Sequence, residues 1–310
     1  MSNFLNLLEF SGIIVLTLCV PGFLLYKLIF YKTKLAFIES WALFFTLGAA
    51  LFIIPSILAY RLSLSWKIFA ILWVSELFII SILLRIKRIN IIGNTFHKME
   101  RVDFIILFLI LIIAIAMLLH GGHFFADAAY HLSRIVKISE SDVLTTSRNP
   151  TYGYNLFYAF FAFFFRISGI ELRKLWDMSP AIFSLFINSA FYFFCLKLFK
   201  NKTFVFISLL SFYLYEYNYG WSDFKSLPYP DQISRNIFLF ILMGVLFMEI
   251  RKEYEWKKYL VLGGCALWAV CMTHLYSFAA FYYIFFIVVL LSIIFAKDRK
   301  DKKLFVKPLL

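Results

Sequence analysis

The sequence predicts an all-α membrane protein: a polytopic bundle of about nine transmembrane helices, with one or two juxtamembrane helices on its outer side. Hydrophobic residues make up 63% of the 310 residues, charged residues only 16%, and the mean hydropathy is +0.84. Soluble domains contain about 45–50% apolar and about 25% charged residues. A chain this apolar cannot cover itself with polar surface in water, so most of its solvent is lipid.

The net charge of +13 is interpreted as a signal of membrane orientation, because lysine and arginine concentrate in cytoplasmic loops. It is therefore not taken as evidence of nucleic-acid binding. The four cysteines all lie in apolar runs without the spacing of a metal site, which predicts buried apolar residues. No basic segment precedes the first apolar run, which predicts a membrane helix there rather than a cleaved signal peptide.

The predicted spans are apolar runs near the length that crosses the hydrocarbon core as a helix, about 20 residues. Pro21-Gly22 predicts a kink inside the first of them. In chain order the runs are 10–30, 41–60, 66–84, 104–119, 178–198, 203–217, 236–250, 259–273 and 277–296.

One further run, 155–165, is apolar but short, and Arg166, Arg173 and Lys174 follow it closely. If this run does not cross the membrane, roughly two thirds of the lysines and arginines fall on one side; if it crosses, fewer than half do. The positive-inside rule therefore favours an interfacial helix lying on the outer surface. This topology places the N-terminus outside and the C-terminus inside.

The outer side of this topology collects the residues that are suited to chemistry. It contains a first loop at 120–177, a second loop at 218–235 and a short third turn with Thr273-His274. These segments hold most of the histidines and several aspartates, namely His120, His123, His131, His274, Asp127, Asp142, Asp177, Asp223 and Asp231. The inner loops carry mainly basic residues, so the candidate site is expected on the outer side.

In the first loop, Asp127, Tyr130, His131 and Arg134 have the spacing of residues on one face of a helix. The segment 126–138 is therefore predicted to form an amphipathic helix just beyond the fourth span. A carboxylate so close to lipid is costly unless it is paired or functional. The alternative is structural, with Asp127 as a helix N-cap and Arg134 bound to a lipid phosphate.

The later outer segments offer Asp231 and His274. Asp231 follows Pro228 and Pro230 and directly precedes a span, where an aspartate also suits the N-cap of the next helix. His274 lies at a helix end and is either an interfacial side chain or a member of the same outer site as Asp127.

These features resemble the GT-C superfamily of integral-membrane glycosyltransferases, which includes protein O-mannosyltransferases and bacterial aminoarabinose transferases. The stretch Asp127-Ala-Ala-Tyr130-His131 resembles the acidic motif of the family's first outer loop, and 149–154 (NPTYGY) resembles its Pro-x-Tyr segment. The helix 157–169 is similar to a family helix that does not cross the membrane. Asp231 and Met272-Thr273-His274 are similar to an acidic and a basic position of the later outer loops.

The resemblance covers about 103–296 and implies three parts. These are an N-terminal three-span addition (1–102), a membrane core (103–296), and a segment (297–310) that is a basic cytoplasmic tail or the start of a span in a longer chain. It further implies a multi-pass protein of a prokaryotic cell membrane with an extracytoplasmic active site. Its activity would be the transfer of a sugar from a polyprenyl-phosphate donor to a lipid, glycan or protein acceptor of the envelope.

The resemblance also implies roles for single residues. Asp127 would be the catalytic base that takes a proton from the acceptor. Substrate would be bound by Tyr130, His131, Arg134, Tyr152, Tyr154 and His274, with Arg134 and His274 beside the leaving phosphate. Asp231 would help to hold a divalent cation, Mg²⁺ or Mn²⁺.

Three other classes of protein stay open at this point. A flippase or transporter of lipid-linked glycans would need ionisable residues inside its spans, and Glu76 is the main example here. An envelope enzyme similar to an O-antigen polymerase would favour arginine-rich outer loops. A non-catalytic membrane subunit would require neither feature.

Overall fold

The computed structural model describes residues 2–31, 33–91, 95–121, 126–144, 154–220, 222–226, 228–250, 256–279, 281–283 and 286. Across these residues the chain is helical, as predicted, and β-type pairing is limited to two isolated bridges, Leu35–Phe96 and Ser65–Val143. Helices α1 to α13 are Ser2–Ile14, Val20–Phe30, Phe37–Arg61, Trp66–Ile86, Arg101–His120, Ala126–Glu140, Leu156–Ser168, Leu172–Phe199, Lys202–Asn218, Ser222–Lys225, Pro230–Ile233, Leu239–Ile250 and Trp256–Thr273.

Within the described residues, six helical stretches are long and apolar enough to cross a membrane: Leu5–Phe30, Phe37–Arg61, Trp66–Ile86, Arg101–His120, Leu172–Phe199 and Pro230–Met248. Each overlaps a predicted span, which confirms the membrane character of the chain. The runs 203–217 and 259–273 lie in shorter helices, α9 and α13, and the run 277–296 lies largely outside the described residues. The count of nine spans therefore stays a prediction.

The first span crosses the second with their backbones in direct contact. A Cβ atom on Gly22 would overlap the carbonyl oxygen of Phe44, and one on Gly48 would overlap that of Leu18. Near this crossing the first span contains a π-helical turn, Val15–Cys19, shortly before Pro21, where the kink was predicted. Such turns are one of the known causes of helix bending.

The helices run back and forth between two ends of the bundle. One end, termed the basic end, contains the Leu35–Phe96 bridge and an ion pair of 3.6 Å between Lys197 and Glu39. The opposite end, termed the loop end, contains the α3–α4 turn, α6, both ends of α7, the start of α8, α11 and the C-terminus of α13. In the described residues, this alternation groups the helix ends next to predicted inner loops at the basic end and those next to predicted outer loops at the loop end.

Helix α7 begins and ends at the loop end, in agreement with the prediction that it does not cross. The Nδ2 group of Asn155, its N-cap, donates to the carbonyl of Thr273 at 2.8 Å, and Arg166 near its C-terminus donates to the carbonyl of Ser141 at 3.2 Å. The predicted position on the outer surface is wrong, however, because every residue from Leu156 to Phe164 is buried. Apolar side chains surround the whole helix, so packing inside the protein buries more of them than a lipid interface would.

Helix α3 lies at the centre of the bundle, although it belongs to the predicted N-terminal addition. In its apolar stretch 83% of the residues are buried, compared with 22% for the neighbouring helix α4. The hydroxyl of Ser189 on α8 accepts a hydrogen bond from Ala42 N–H and donates to the carbonyl of Ile38. These bonds join the predicted N-terminal addition to the predicted membrane core, and the division at residue 102 stays a prediction.

Candidate functional site

The predicted amphipathic helix is present as α6 and lies at the loop end. Ala128, Ile135 and Ile138 are buried, while Ser133 and Lys137 face outward. An apolar stripe of this spacing docks the helix on the bundle and fixes the direction of the polar residues beside it. The contacts of three of the predicted site residues follow from this docking.

His131 lies within a group of aromatic rings that come from four segments of the chain. Its Nδ1 atom is 2.8 Å from the hydroxyl of Tyr158 on α7. The imidazole stacks on Trp176 of α8, with ring centroids 6.4 Å apart and planes at 19°, and meets the edge of Tyr229 at 5.4 Å. The sequence predicted His131 but not its aromatic neighbours, because these are far apart along the chain.

Arg134 lies one turn further along α6 and lies over aromatic rings. Its guanidinium carbon is 4.5 Å from the centroid of Tyr130 and 5.5 Å from that of Tyr158. The ring face attracts the cation electrostatically but does not neutralise its charge. Tyr130, His131 and Arg134 are thus brought together, as their spacing predicted.

Two other predicted residues, Asp127 and Tyr152, lie partly or wholly outside the described residues. The backbone of Asp127 belongs to α6, one turn before His131, but its side chain lies outside the described part of the structure. Tyr152 lies outside the described residues altogether. The role of Asp127 as base and that of Tyr152 in substrate binding stay predictions.

Tyr154 contacts α3 rather than the His131 group. Its hydroxyl is 2.5 Å from Ser56 Oγ, and its ring meets Tyr60 edge-on at 5.8 Å. Because Ser56 donates its own proton to the carbonyl of Phe52, the tyrosine is the donor in this pair. Burial raises the pKa of the Tyr154 phenol, so it stays protonated. The contact fastens the chain before α7 to the central helix.

The next residue, Asn155, is a structural residue that sequence reasoning missed. Its Oδ1 atom accepts hydrogen bonds from the N–H groups of Phe157 and Tyr158, which caps α7. Its amide group also ties α7 to the C-terminus of α13 through Thr273. An asparagine directly before an apolar run is a typical N-cap signal and could have identified the helix start.

Asp231 lies in the first turn of α11, whose N-cap is Tyr229, so the predicted N-cap role of Asp231 is wrong by two residues. A carboxylate in the first turn still interacts favourably with the helix dipole. Asp231 forms an ion pair of 3.7 Å with Arg235 one turn later, and both side chains are exposed.

His274 follows α13 and is half-buried beside this ion pair. Its Nδ1 atom accepts from the N–H of Ser277 at 3.2 Å and is 2.7 Å from the hydroxyl of the same residue. The neutral ring therefore carries its proton on Nε2, which makes that atom a donor. Burial lowers the pKa of His274, Asp231 raises it and Arg235 lowers it, and the net shift is downward.

The predicted metal site is not assembled by the residues whose side chains are described. In that part of the chain, no three histidine, cysteine, aspartate or glutamate side chains lie close enough to hold an ion. The carboxylate of Asp231 is already paired with Arg235, which opposes the binding of a second cation. No chemical step is therefore assigned to a metal at this site.

No protein-family model, curated protein or solved structure matches this chain.

Proposed function

We propose that the chain is a membrane glycosyltransferase that moves a sugar from a polyprenyl-phosphate donor to a lipid, glycan or protein acceptor. The observation that carries the proposal is the arrangement of α6, which holds His131 and Arg134 against a wall of aromatic rings at the end of a membrane helix bundle. A positive side chain beside aromatic faces at a bilayer surface suits a ligand that combines a phosphate, a sugar and an apolar tail.

Residues of the loop end have separate roles in this reaction. The N–H groups of Arg134 and the Nε2–H of His274 stabilise the phosphate as it leaves with the bonding electrons. The acceptor oxygen forms the new bond to the anomeric carbon, and its proton passes to the carboxylate of Asp127. Trp176 and Tyr229 keep the imidazole of His131 in place, and that ring in turn positions Tyr158.

The polyprenyl chain is assigned to the lipid-facing surface next to the loop end. Exposed apolar side chains are plentiful on the fourth predicted span, including Phe108, Ile115 and Leu119, and this span leads directly to α6. The loop end is assigned to the extracytoplasmic side of a prokaryotic membrane, because lysine and arginine are concentrated at the basic end.

The test compares Asp127→Asn with Glu140→Gln in the full-length protein reconstituted in lipid nanodiscs. Glu140 is an exposed carboxylate at the far end of the same helix and serves as the control. We expect Asp127→Asn to lower the release of polyprenyl phosphate from a synthetic polyprenyl-phosphate-sugar by about 100-fold or more, because it removes a general base. Glu140→Gln should retain the wild-type rate.

Two outcomes would count against the proposal. Transfer by Asp127→Asn at the wild-type rate would exclude this residue as the base. Absence of release by the wild-type protein, with a range of polyprenyl-phosphate sugars and acceptors, would contradict the activity itself.

A second candidate, a flippase of lipid-linked glycans, draws on Glu76 alone. This residue is half-buried on α4, and its Oε2 atom is enclosed without a hydrogen-bond partner in the described part of the chain. An ionisable side chain inside a span is expensive and is often functional in transporters. The loop end gathers several polar contacts in one place, however, and the transferase therefore accounts for more of the described side chains.

A further inference from the structure

The segment that follows α6 is fastened to the turn between α3 and α4. The backbone N–H of Leu144 donates to the carbonyl of Leu64 at 3.2 Å, and the backbone N–H of Trp66 donates to the carbonyl of Asp142 at 3.3 Å. These bonds flank the antiparallel bridge between Ser65 and Val143. The predicted N-terminal addition thus pairs its backbone with the first outer loop.

Two side chains strengthen this attachment at the C-terminus of α6. The indole N–H of Trp66 donates to the carbonyl of Ser141 at 2.9 Å. Arg166 of α7 donates to the carbonyls of Ser139 and Ser141, at 2.5 and 3.2 Å, and lies over the ring of Trp66 at 5.6 Å. Carbonyl groups at the end of a helix have no partner within the helix, so these donors complete its hydrogen bonding.

Trp66 is itself held rigidly. It is 7% exposed, its ring stacks on Phe163 of α7 at 6.4 Å, and it meets Phe69 of its own helix edge-on. Its indole N–H group can therefore reach the carbonyl of Ser141 only if the end of α6 lies at one fixed position along the bundle axis. A buried tryptophan of this kind defines a position, whereas a flexible lysine would not.

We propose that Trp66 and Arg166 form a clamp that sets the axial position and rotation of α6, and so positions His131 and Arg134. A helix is stiff over this distance, so fixing the carbonyls of its last turn fixes the residues two turns earlier. Both clamp residues act through α6 and contact no substrate. The catalytic consequence rests on the proposed glycosyl transfer; the structural consequence, the placement of His131 against Tyr158, does not.

The experiment uses Trp66→Phe, which keeps an aromatic ring but removes the N–H donor, and Arg166→Gln, which removes the guanidinium. The matched control is Trp73→Phe, because Trp73 lies on the same helix, is also buried, and packs its ring on Phe52. The full-length protein is labelled with ¹⁵N-histidine in nanodiscs. The chain has five histidines, and His131→Gln identifies the resonance of His131.

We expect both clamp variants to shift the Nδ1 resonance of His131, because its hydrogen bond to Tyr158 changes when α6 moves. Trp73→Phe should leave that resonance in place. The same two variants should lower the transfer rate by about tenfold or more, because displacing reacting groups by about 1 Å is enough for such losses. Thermal unfolding of each variant is measured in parallel.

The outcomes separate the two proposals. If the clamp variants unfold at lower temperature but leave the His131 resonance unchanged, Trp66 and Arg166 only stabilise the fold and the clamp is overturned. If the resonance moves while the wild-type protein transfers no sugar, the clamp stands and the proposed function fails.

Discussion

The basic side chains at the two ends of the bundle have different kinds of contact. At the basic end, Asp103 accepts hydrogen bonds from Lys202 Nζ at 2.7 Å and from the hydroxyl of Tyr192 at 3.0 Å, and Lys202 also pairs with Glu100. At the loop end, Arg134 lies over tyrosine rings. Carboxylates pair with the cation of the first end, whereas the contacts of Arg134 at the second end include the faces of two tyrosine rings. The charge at the basic end therefore holds helices together, whereas the charge at the loop end lies on aromatic surfaces of the kind that suit the proposed ligand.

The largest expected effect is a loss of stability caused by a substitution at the basic end. Asp103→Ala removes a carboxylate that is 4% exposed and leaves Lys202 with Glu100 as its remaining acidic partner. The free energy of unfolding should fall by about 3 kcal/mol, since the buried hydroxyl of Tyr192 loses its acceptor and Lys202 loses its nearer carboxylate. Chemical denaturation in mild detergent measures it. Glu100→Gln, at the exposed partner, should cost less than about 1 kcal/mol.

A smaller loss of stability is expected when one capping residue at each end is replaced. Asn155 caps α7 and ties it to Thr273, whereas Asn201 caps α9 at the basic end through the N–H of Thr203. Asn201→Ala should cost about 1 kcal/mol, the usual value of an N-cap. Asn155→Ala should cost about 2 kcal/mol, because the bond between helices is lost as well. Equal losses in the same denaturation assay would show that the tie between α7 and α13 contributes nothing.

The smallest expected effect is a pH dependence that distinguishes the ends. The pKa of His274 is lowered in the folded protein, where Asp231 and Arg235 face it. Its contribution to stability is therefore present above the unfolded pKa, about 6.5, and is lost as the pH falls through the folded pKa. The unfolding temperature should drop between pH 7.5 and pH 5, and His274→Gln should weaken that drop.

The basic end should respond in the opposite range of pH. Burial lowers the pKa of Lys202, but its bonds to Asp103 and Glu100 raise it by more, and the net shift is upward. Stability from this lysine is fully present below its unfolded pKa and is lost only as the pH rises through the higher folded value. An acid-induced loss of stability that persists unchanged in His274→Gln would contradict the assignment to the loop end.

Much of the architecture could be predicted because single stretches of sequence determine it. Runs of apolar residues marked the spans, the spacing from Asp127 to Arg134 marked α6, and the distribution of basic residues indicated that α7 does not cross. The burial of α7 could not be predicted in this way. Its neighbours, such as Phe10 and Phe52, are far away in the chain, and only the packing of several helices brings them together.

In the candidate site, too, features set by a single helix could be predicted, whereas contacts between distant segments could not. The order of residues on α6 was readable from helical periodicity, since it depends on a single element. The ring environment of His131 and the hydrogen bond from Trp66 to Ser141 depend on contacts between distant segments. The N-cap of α11 was misplaced because aspartate is a favoured N-cap residue, whereas Pro230 occupies the first helical position and makes Tyr229 the cap.

The burial of α7 also determines the electrical environment of the loop end. Between its N-cap and Arg166 the helix carries only apolar side chains apart from Tyr158, and its phenylalanine rings pack on one another, Phe157 on Phe161 and Phe160 on Phe164. An apolar surface of this kind lowers the local dielectric constant, because it excludes the water that would otherwise screen charges. A pair of opposite charges 4 Å apart attracts by about 1 kcal/mol in water but about 4 kcal/mol at the effective dielectric constant near a protein surface. An anion bound beside α7 is therefore attracted to Arg134 more strongly than it would be if the same guanidinium were surrounded by water.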